Sequence, residues 1–205
     1  AFQQAGVDDL WLKPADWYAA NGIELRLSAP ITGLRPAVGE IETAGGWEAY
    51  DAVVLAIGAT PIRPALPGPD GALSSLWSYE QATAIRNQFR AGDPLLVLGG
   101  GILGVEAALR AAGAGLKPIL VEKCPGLMPT QFGPAAGAVL RALLERQGVT
   151  VRTGVSLTAA APGPAAGQWR YQLDDGTVVE AAGAILSIGA RPALDLARRA
   201  GLPVD

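Results

Sequence analysis

The stretch LLVLGGGILGVEAAL, Leu95–Leu109, runs from an apolar block through three consecutive glycines into a segment with helical spacing. Gly99, Gly101 and Gly104 form GxGxxG within it, and no other part of the chain restricts the possible folds as much. The first glycine permits a tight turn, the second lets backbone approach a pyrophosphate, and the third lets the helix pack closely on the strand. The helix N-terminus then offers free N–H groups and a partial positive charge to the phosphates. A lone GxGxxG also occurs as a merely tight structural turn. Here strand PLLVLG precedes it, a helix over about 102–112 follows, and strand KPILVE, Lys117–Glu122, ends on an acidic residue 23 positions beyond Gly99. A carboxylate there can accept hydrogen bonds from an adenosine ribose, so a dinucleotide site is expected.

The carboxylate of Glu122 disfavours a 2′-phosphate and so favours NAD over NADP. Lys123 beside it is either a cation that softens the repulsion or a solvated lysine. Glu106 lies on the first turns of the helix, in a segment otherwise apolar as far as Arg110. Spacing alone leaves two readings of Glu106 open, a functional carboxylate or a solvent-facing residue near a positive helix end. Cys124 is the sole cysteine, which excludes an internal disulfide and a CxxC metal site, and there is no histidine. The commonest metal ligand and general base is therefore missing, and neither a catalytic residue nor a metal site is expected here.

Half of the 205 residues are hydrophobic and 17% are charged, a balance that permits a buried core. Sixteen Lys and Arg against 19 Asp and Glu, with no basic run, argue against nucleic-acid or anionic-membrane partners. The most apolar run, residues 94–105, stops at Glu106, short of the roughly 20 residues that cross a bilayer. A cytoplasmic protein is expected.

Along the chain, a loop enters a short helix that stops at Asn21-Gly22. IELRLSAPITGL, Ile23–Leu34, reads as strands joined by a bend. After a polar turn at Ala44-Gly45-Gly46, YDAVVLAIG, Tyr50–Gly58, reads as a strand buried on both faces. Residues 59–71 hold four prolines and form an irregular connection, and 77–89 a helix with Ser78 as N-cap. Beyond Lys117–Glu122 follow a helix over about 134–147, strand VTVRTG, a hairpin through WRYQLDDGTVV, and the buried strand AGAILSIG ending at Gly189. Alternating strands and helices imply a parallel sheet.

The chain also repeats itself. Residues 21–34 align without gaps on 147–160, matching Gly22 to Gly148, Arg26 to Arg152 and Thr32 to Thr158. Residues 52–61 align on 184–192, matching Ile57-Gly58-Ala59 and Pro61 to Ile188-Gly189-Ala190 and Pro192. About 50 residues, including the glycine turn, precede the shared part in the second copy, and only about 20 in the first. The α/β fold class that follows is two Rossmann-like, dinucleotide-binding three-layer units, the first incomplete. The expected division is 1–91 as a partial first domain lacking its opening strand, glycine turn and first helix, 92–200 as an NAD-binding domain, and 201–205 as the start of a return to the first. The chain is expected to be a fragment of a longer polypeptide.

LVLGGGILGVEAA, YDAVVLAIGATPIRPALPG and AILSIGARPALDLARRAGL together resemble the FAD-dependent pyridine nucleotide-disulfide oxidoreductase family over nearly the whole chain. LMPTQFGPAAGAVLRALLERQGV, Leu127–Val149, is similar to the NAD(P)H nitrite reductase large-subunit branch (its flavoprotein part), with rubredoxin and ferredoxin reductases as cousins. The resemblance implies that Gly99, Gly101, Ile102, Leu103 and Gly104 border the NAD pyrophosphate, that Glu122, flanked by Lys123, meets the adenosine ribose, and that Glu106 lies near the nicotinamide. It also implies FAD/NAD(P)-binding units, with 1–91 a partial FAD-binding domain and 92–200 the NAD-binding domain, and that Ile188, Gly189 and Ala190 pass the nicotinamide half. Ile31 meets the FAD adenine through its backbone, and Ala56, Ile57 and Gly58 run beside FAD, with Ile57 replacing the family's usual Thr. The family's GxGxxG for FAD and its GD motif are absent from this sequence.

What the resemblance implies is an NAD(P)H-dependent FAD oxidoreductase: hydride passes from NADH to FAD, and electrons pass to a downstream redox centre or electron-carrier protein. In the nitrite reductase branch, and hence in nitrate assimilation, the acceptor is a sirohaem and iron–sulfur centre elsewhere in the polypeptide or complex. FAD belongs to the full-length protein, and the isolated fragment is expected to be inactive. The alternatives are a rubredoxin or ferredoxin reductase and a non-catalytic NAD-binding sensor.

Overall fold

The computed structural model describes residues 10–69 and 71–204. The expected entry loop before Leu10 and the last residue of the 201–205 segment lie outside them. In chain order come α1 (Ala15–Ala20), β1 (Gly33–Arg35), β2 (Glu40–Thr43), β3 (Gly46–Ala49), β4 (Ala59–Pro61), β5 (Leu73–Ser75) and α2 (Tyr79–Gln88). Then follow β6 (Pro94–Leu98), α3 (Ile102–Gly113), β7 (Lys117–Glu122), α4 (Pro134–Arg146), β8 (Thr150–Thr153) and β9 (Leu157–Pro162). The last elements are β10 (Trp169–Leu173), β11 (Val178–Ala181), β12 (Ala184–Leu186), β13 (Ala190–Pro192) and α5 (Asp195–Arg199). Two compact units result, residues 61–189 and residues 10–60 with 190–204.

The first unit is built on a five-stranded parallel sheet of order β5-β12-β6-β7-β8. A strand in its middle must be apolar on both faces, because both are covered. β6 shows how the alternation divides the core. Leu95 and Val97 pack with Ile85, Val105, Ala108, Leu120 and Leu144 on the helical side, whereas Leu96 and Leu98 pack with Tyr171, Leu173, Val179 and Leu186. That second face is covered by the antiparallel sheet β11-β10-β9. The resulting three layers, helices, parallel sheet and meander, are Rossmann-like, as expected.

The expected boundary at residues 91/92 is not where the units divide. β5 hydrogen-bonds in parallel to β12, and Ile85 and Phe89 of α2 are buried in the sheet's helical-side core, so residues 61–91 pack with the glycine turn. α2 begins at Ser78 with a capping box, Ser78 accepting the Gln81 N–H and Gln81 accepting the Ser78 N–H.

The second unit contains α1, the antiparallel sheet β1-β2-β3 turning at residues 43–46, and α5, which packs on β1. The Arg35 guanidinium lies 3.6 Å from the Trp47 ring centroid. Two expected strands are absent from it. Residues 23–32 and 50–58 are not in strands, and Ile23, Leu27, Val53, Val54 and Ile57 are exposed. Among the described residues no strand pairs with either segment, so an apolar run that reads as buried faces solvent. The first unit of the repeat is incomplete in this sense.

The repeat itself is visible in the backbone. The matched glycines Gly58 and Gly189 both have positive φ, 73° and 103°. Each carbonyl accepts the N–H four residues beyond the other glycine: Ile62 donates to Gly189 and Ala193 to Gly58, both at 3.0 Å. β4 and β13, which follow the two glycines, pair with each other.

Tyr171 is fully buried, and its hydroxyl donates to the Ala72 carbonyl at 2.6 Å. Burial raises its pKa well above the usual phenol value. Tyr171→Phe leaves that carbonyl without its donor and is expected to lower unfolding free energy by about 1–3 kcal/mol in denaturant titrations.

Candidate functional site

β6 ends at Gly99, whose N–H donates to Val121 of β7 at 2.8 Å and whose φ is +105°. A side chain at Gly99 would strike the Ser187 carbonyl, and one at Gly104 would strike the Gly99 carbonyl. Gly104 is therefore the point at which α3 is laid directly on β6, through backbone-to-backbone approach. Gly101 differs from both. It is the N-cap of α3 with ordinary extended dihedrals, φ −77° and ψ −175°, and a Cβ built there meets nothing within 4 Å. Nothing inside the protein requires a glycine at that position; the open space it leaves faces the end of the helix.

α3 has no side-chain cap and no acidic residue in its first turn. Its positive end is accordingly left uncompensated by the chain, and the first-turn N–H groups suit an anion. Ile102 and Leu103 of that turn are exposed. Ser187 donates its N–H to Leu98 at 2.8 Å, which holds the end of β12 against β6 and brings Ile188 beside Gly99. Gly189 and Ala190 follow at exposed positions.

Glu122 is the one buried charged residue among those described, 7% exposed. One carboxylate oxygen accepts the Gly100 N–H at 2.5 Å and the other the Cys124 N–H at 2.8 Å. Each oxygen retains a lone pair, but the group expected to meet a ribose is first of all bonded to its own backbone. Lys123 is exposed. The Glu122 carboxylate, by hydrogen bonding the protonated thiol, and then burial raise the pKa of Cys124. That thiol is poorly suited to nucleophilic or redox work.

Glu106 lies on the exposed face of α3, its carboxylate 3.9 Å from the Arg110 guanidinium one turn later. It lines a groove of about 630 Å³ with Ile102, Val105, Leu109 and Met128. In the second unit Ile31 and Ala56, Ile57 and Gly58 are exposed and outside strands. Of the residues expected to border NAD, Gly99, Gly101, Ile102, Leu103, Gly104, Glu122 and Ile188 are gathered around one turn.

Sequence reasoning missed Gly100, Ser187 and Met128. A side chain at Gly100 would lie 2.7 Å from Leu127 and 2.9 Å from Glu122. Met128, in the left-handed region at φ +48°, donates its N–H to the Gly100 carbonyl at 2.8 Å. The only sequence signal for Gly100 is its place between two motif glycines. Among the described residues no cluster of His, Cys, Asp and Glu could hold a metal, and no helix is long and apolar enough to cross a membrane.

Residues 15–205 match the family described as pyridine nucleotide-disulphide oxidoreductase. The rubredoxin-NAD(+) reductase of Pseudomonas putida is 32% identical over 196 residues, covering 95% of this chain and 51% of that protein. The nitrite reductase [NAD(P)H] large subunit of Klebsiella oxytoca is 32% identical over 210 residues, covering 99% of this chain and 21% of that protein. The crystal structure of the covalent putidaredoxin reductase–putidaredoxin complex superposes with a TM-score of 0.88 at 29% identity, over 98% of this chain and 50% of that one. The chain thus spans about half the length of the rubredoxin reductase and of the putidaredoxin reductase chain, and 21% of the nitrite reductase large subunit.

The two glycines of the turn make opposite predictions for stability. Gly104→Ala forces α3 off β6 and is expected to cost about 3 kcal/mol, the upper range for overpacking. Gly101→Ala, an N-cap change into open space, is expected to cost no more than about 1 kcal/mol. Paired thermal and urea denaturation of the two variants checks the contrast.

Proposed function

The chain belongs to the pyridine nucleotide-disulphide oxidoreductase family, whose members bind FAD and NAD(P)H, and from that membership we propose that it carries the nicotinamide-dinucleotide site of a flavoprotein reductase. The reductase takes hydride from NADH or NADPH and passes electrons to a downstream electron-carrier protein. The observation that supports this best is Gly101, open where Gly99 and Gly104 are closed, in front of the uncapped end of α3. An excluded Cβ explains two of the three motif glycines by packing alone. The third is explained by a ligand.

In this reading the N–H groups of Gly101, Ile102 and Leu103 receive the pyrophosphate, and the positive end of α3 holds it without any basic side chain. Glu122 and Lys123 border the adenosine ribose. Glu106, Ile188, Gly189 and Ala190 border the nicotinamide and set its distance from the hydride acceptor. A bound flavin supplies the change from two-electron acceptance to one-electron delivery. For that flavin the described residues offer the exposed positions Ile31 and Ala56, Ile57 and Gly58, and their only GxGxxG is the one at Gly99. In this reading the chain's own task is binding and orientation.

A second reading gives the electrons to nitrite. The resemblance of residues 127–149 to the nitrite reductase branch favours it, as does the alignment of 99% of this chain on the Klebsiella oxytoca nitrite reductase large subunit. Reduction of rubredoxin or ferredoxin without nitrite turnover by the full chain selects the first reading, and NAD(P)H-dependent nitrite consumption the second.

In the full chain, Gly101→Ala is expected to raise the Kd for NADH by at least about tenfold, or roughly 1.4 kcal/mol, in fluorescence titrations. Unchanged binding by a folded variant contradicts the site.

A further inference from the structure

The middle glycine of the turn is held from two sides by the loop that follows β7. Glu122 accepts the Gly100 N–H at 2.5 Å, which fixes the peptide between Gly99 and Gly100. Met128 donates its N–H to the Gly100 carbonyl at 2.8 Å, which fixes the peptide between Gly100 and Gly101. The loop is itself tied down. Cys124 donates to the second oxygen of Glu122 and accepts from the Gly154 N–H at 2.9 Å, and Leu127 is buried against the sheet.

A trans peptide sets its C=O and N–H antiparallel. With the Gly100 carbonyl turned toward Met128, the Gly101 N–H must point to the side opposite the loop. We infer that Glu122 is a positioning residue and not the discriminator of a 2′-phosphate: together with the Met128 backbone it sets the two peptides of the turn and so aims the Gly101 N–H at the ligand. This rests on the dinucleotide reading above. The charge matters because an ionised carboxylate can accept from both N–H groups at once, whereas an amide must present a donor to one of them.

The consequence separates positioning from recognition of the ribose. The pyrophosphate is common to NADH and NADPH, so loss of aim weakens both alike, whereas loss of a 2′-phosphate discriminator changes their ratio. In the full chain, Glu122→Gln is expected to raise KM for NADH and for NADPH by the same factor, about tenfold as for one charge-assisted hydrogen bond lost, with kcat unchanged. In ligand-free protein the Gly100 and Cys124 amides are expected to exchange hydrogen about tenfold faster, with the Leu96 and Val97 amides unchanged. Should Glu122→Gln not fold, Glu122→Asp, which keeps the charge and shortens the reach, is expected to show the same pattern.

A variant whose NADPH binding holds or improves while NADH binding falls overturns the positioning role, as does unaltered exchange at Gly100. A wild-type chain that binds neither nucleotide overturns instead the reading on which the inference rests.

Discussion

The backbone approach of α3 to β6 at Gly104 is the constraint on which the larger unit depends. With no side chain between them, the Gly99 carbonyl and the first turn of the helix lie in contact, and the helix axis is fixed with its N-terminus at the carboxyl end of the central strand. Everything proposed for the site follows from that placement. The uncapped end of α3, the open space at Gly101 and the nearness of Ile188 are consequences of one close contact. The surrounding core keeps it in place, since Leu95 and Val97 secure the helical side of β6 while Leu96 and Leu98 secure the other.

Around this contact the chain puts unequal demands on its residues. Gly99 and Gly104 answer to packing, Gly101 to the space in front of the helix, and Gly100 to the loop that covers it. Glu122 is buried at the carboxyl end of β7 and accepts one backbone N–H at each carboxylate oxygen. A buried carboxylate is expensive unless it is hydrogen-bonded, and here both oxygens have partners that stiffen the turn. The binding surface is thereby shaped before any ligand arrives, which lowers the cost of ordering it.

Much of the larger unit was legible in the sequence. β6, α3 and β7 could be read because an apolar run covered on both faces, a glycine turn and an amphipathic helix each leave a distinct pattern in 94–122. β5 escaped because Leu73–Ser75 is short and two of its three residues are serine. The same apolar pattern misled at 50–58. AVVLAIG resembles AILSIG, but the second lies between β5 and β6 whereas the first has no paired strand among the described residues. Composition records what a segment can bury, not whether a neighbour is there. Spacing put Glu122 at the right end of the right strand, yet the direction of its carboxylate depends on the Gly100 and Cys124 amides, and no one-dimensional pattern encodes that. The left-handed backbone of Met128 left no signal, since methionine seldom adopts it.

In the proposed site the mouth of α3 beyond Gly101 receives the pyrophosphate of a nicotinamide dinucleotide. Amide chemical shifts followed during an NADH titration of isotopically labelled protein test it most directly. Saturable shifts are expected at Gly101, Ile102 and Leu103, with Ala159 and Gln172 of the meander unmoved. Saturation with those three amides unmoved, or shifts centred on the meander, would contradict it.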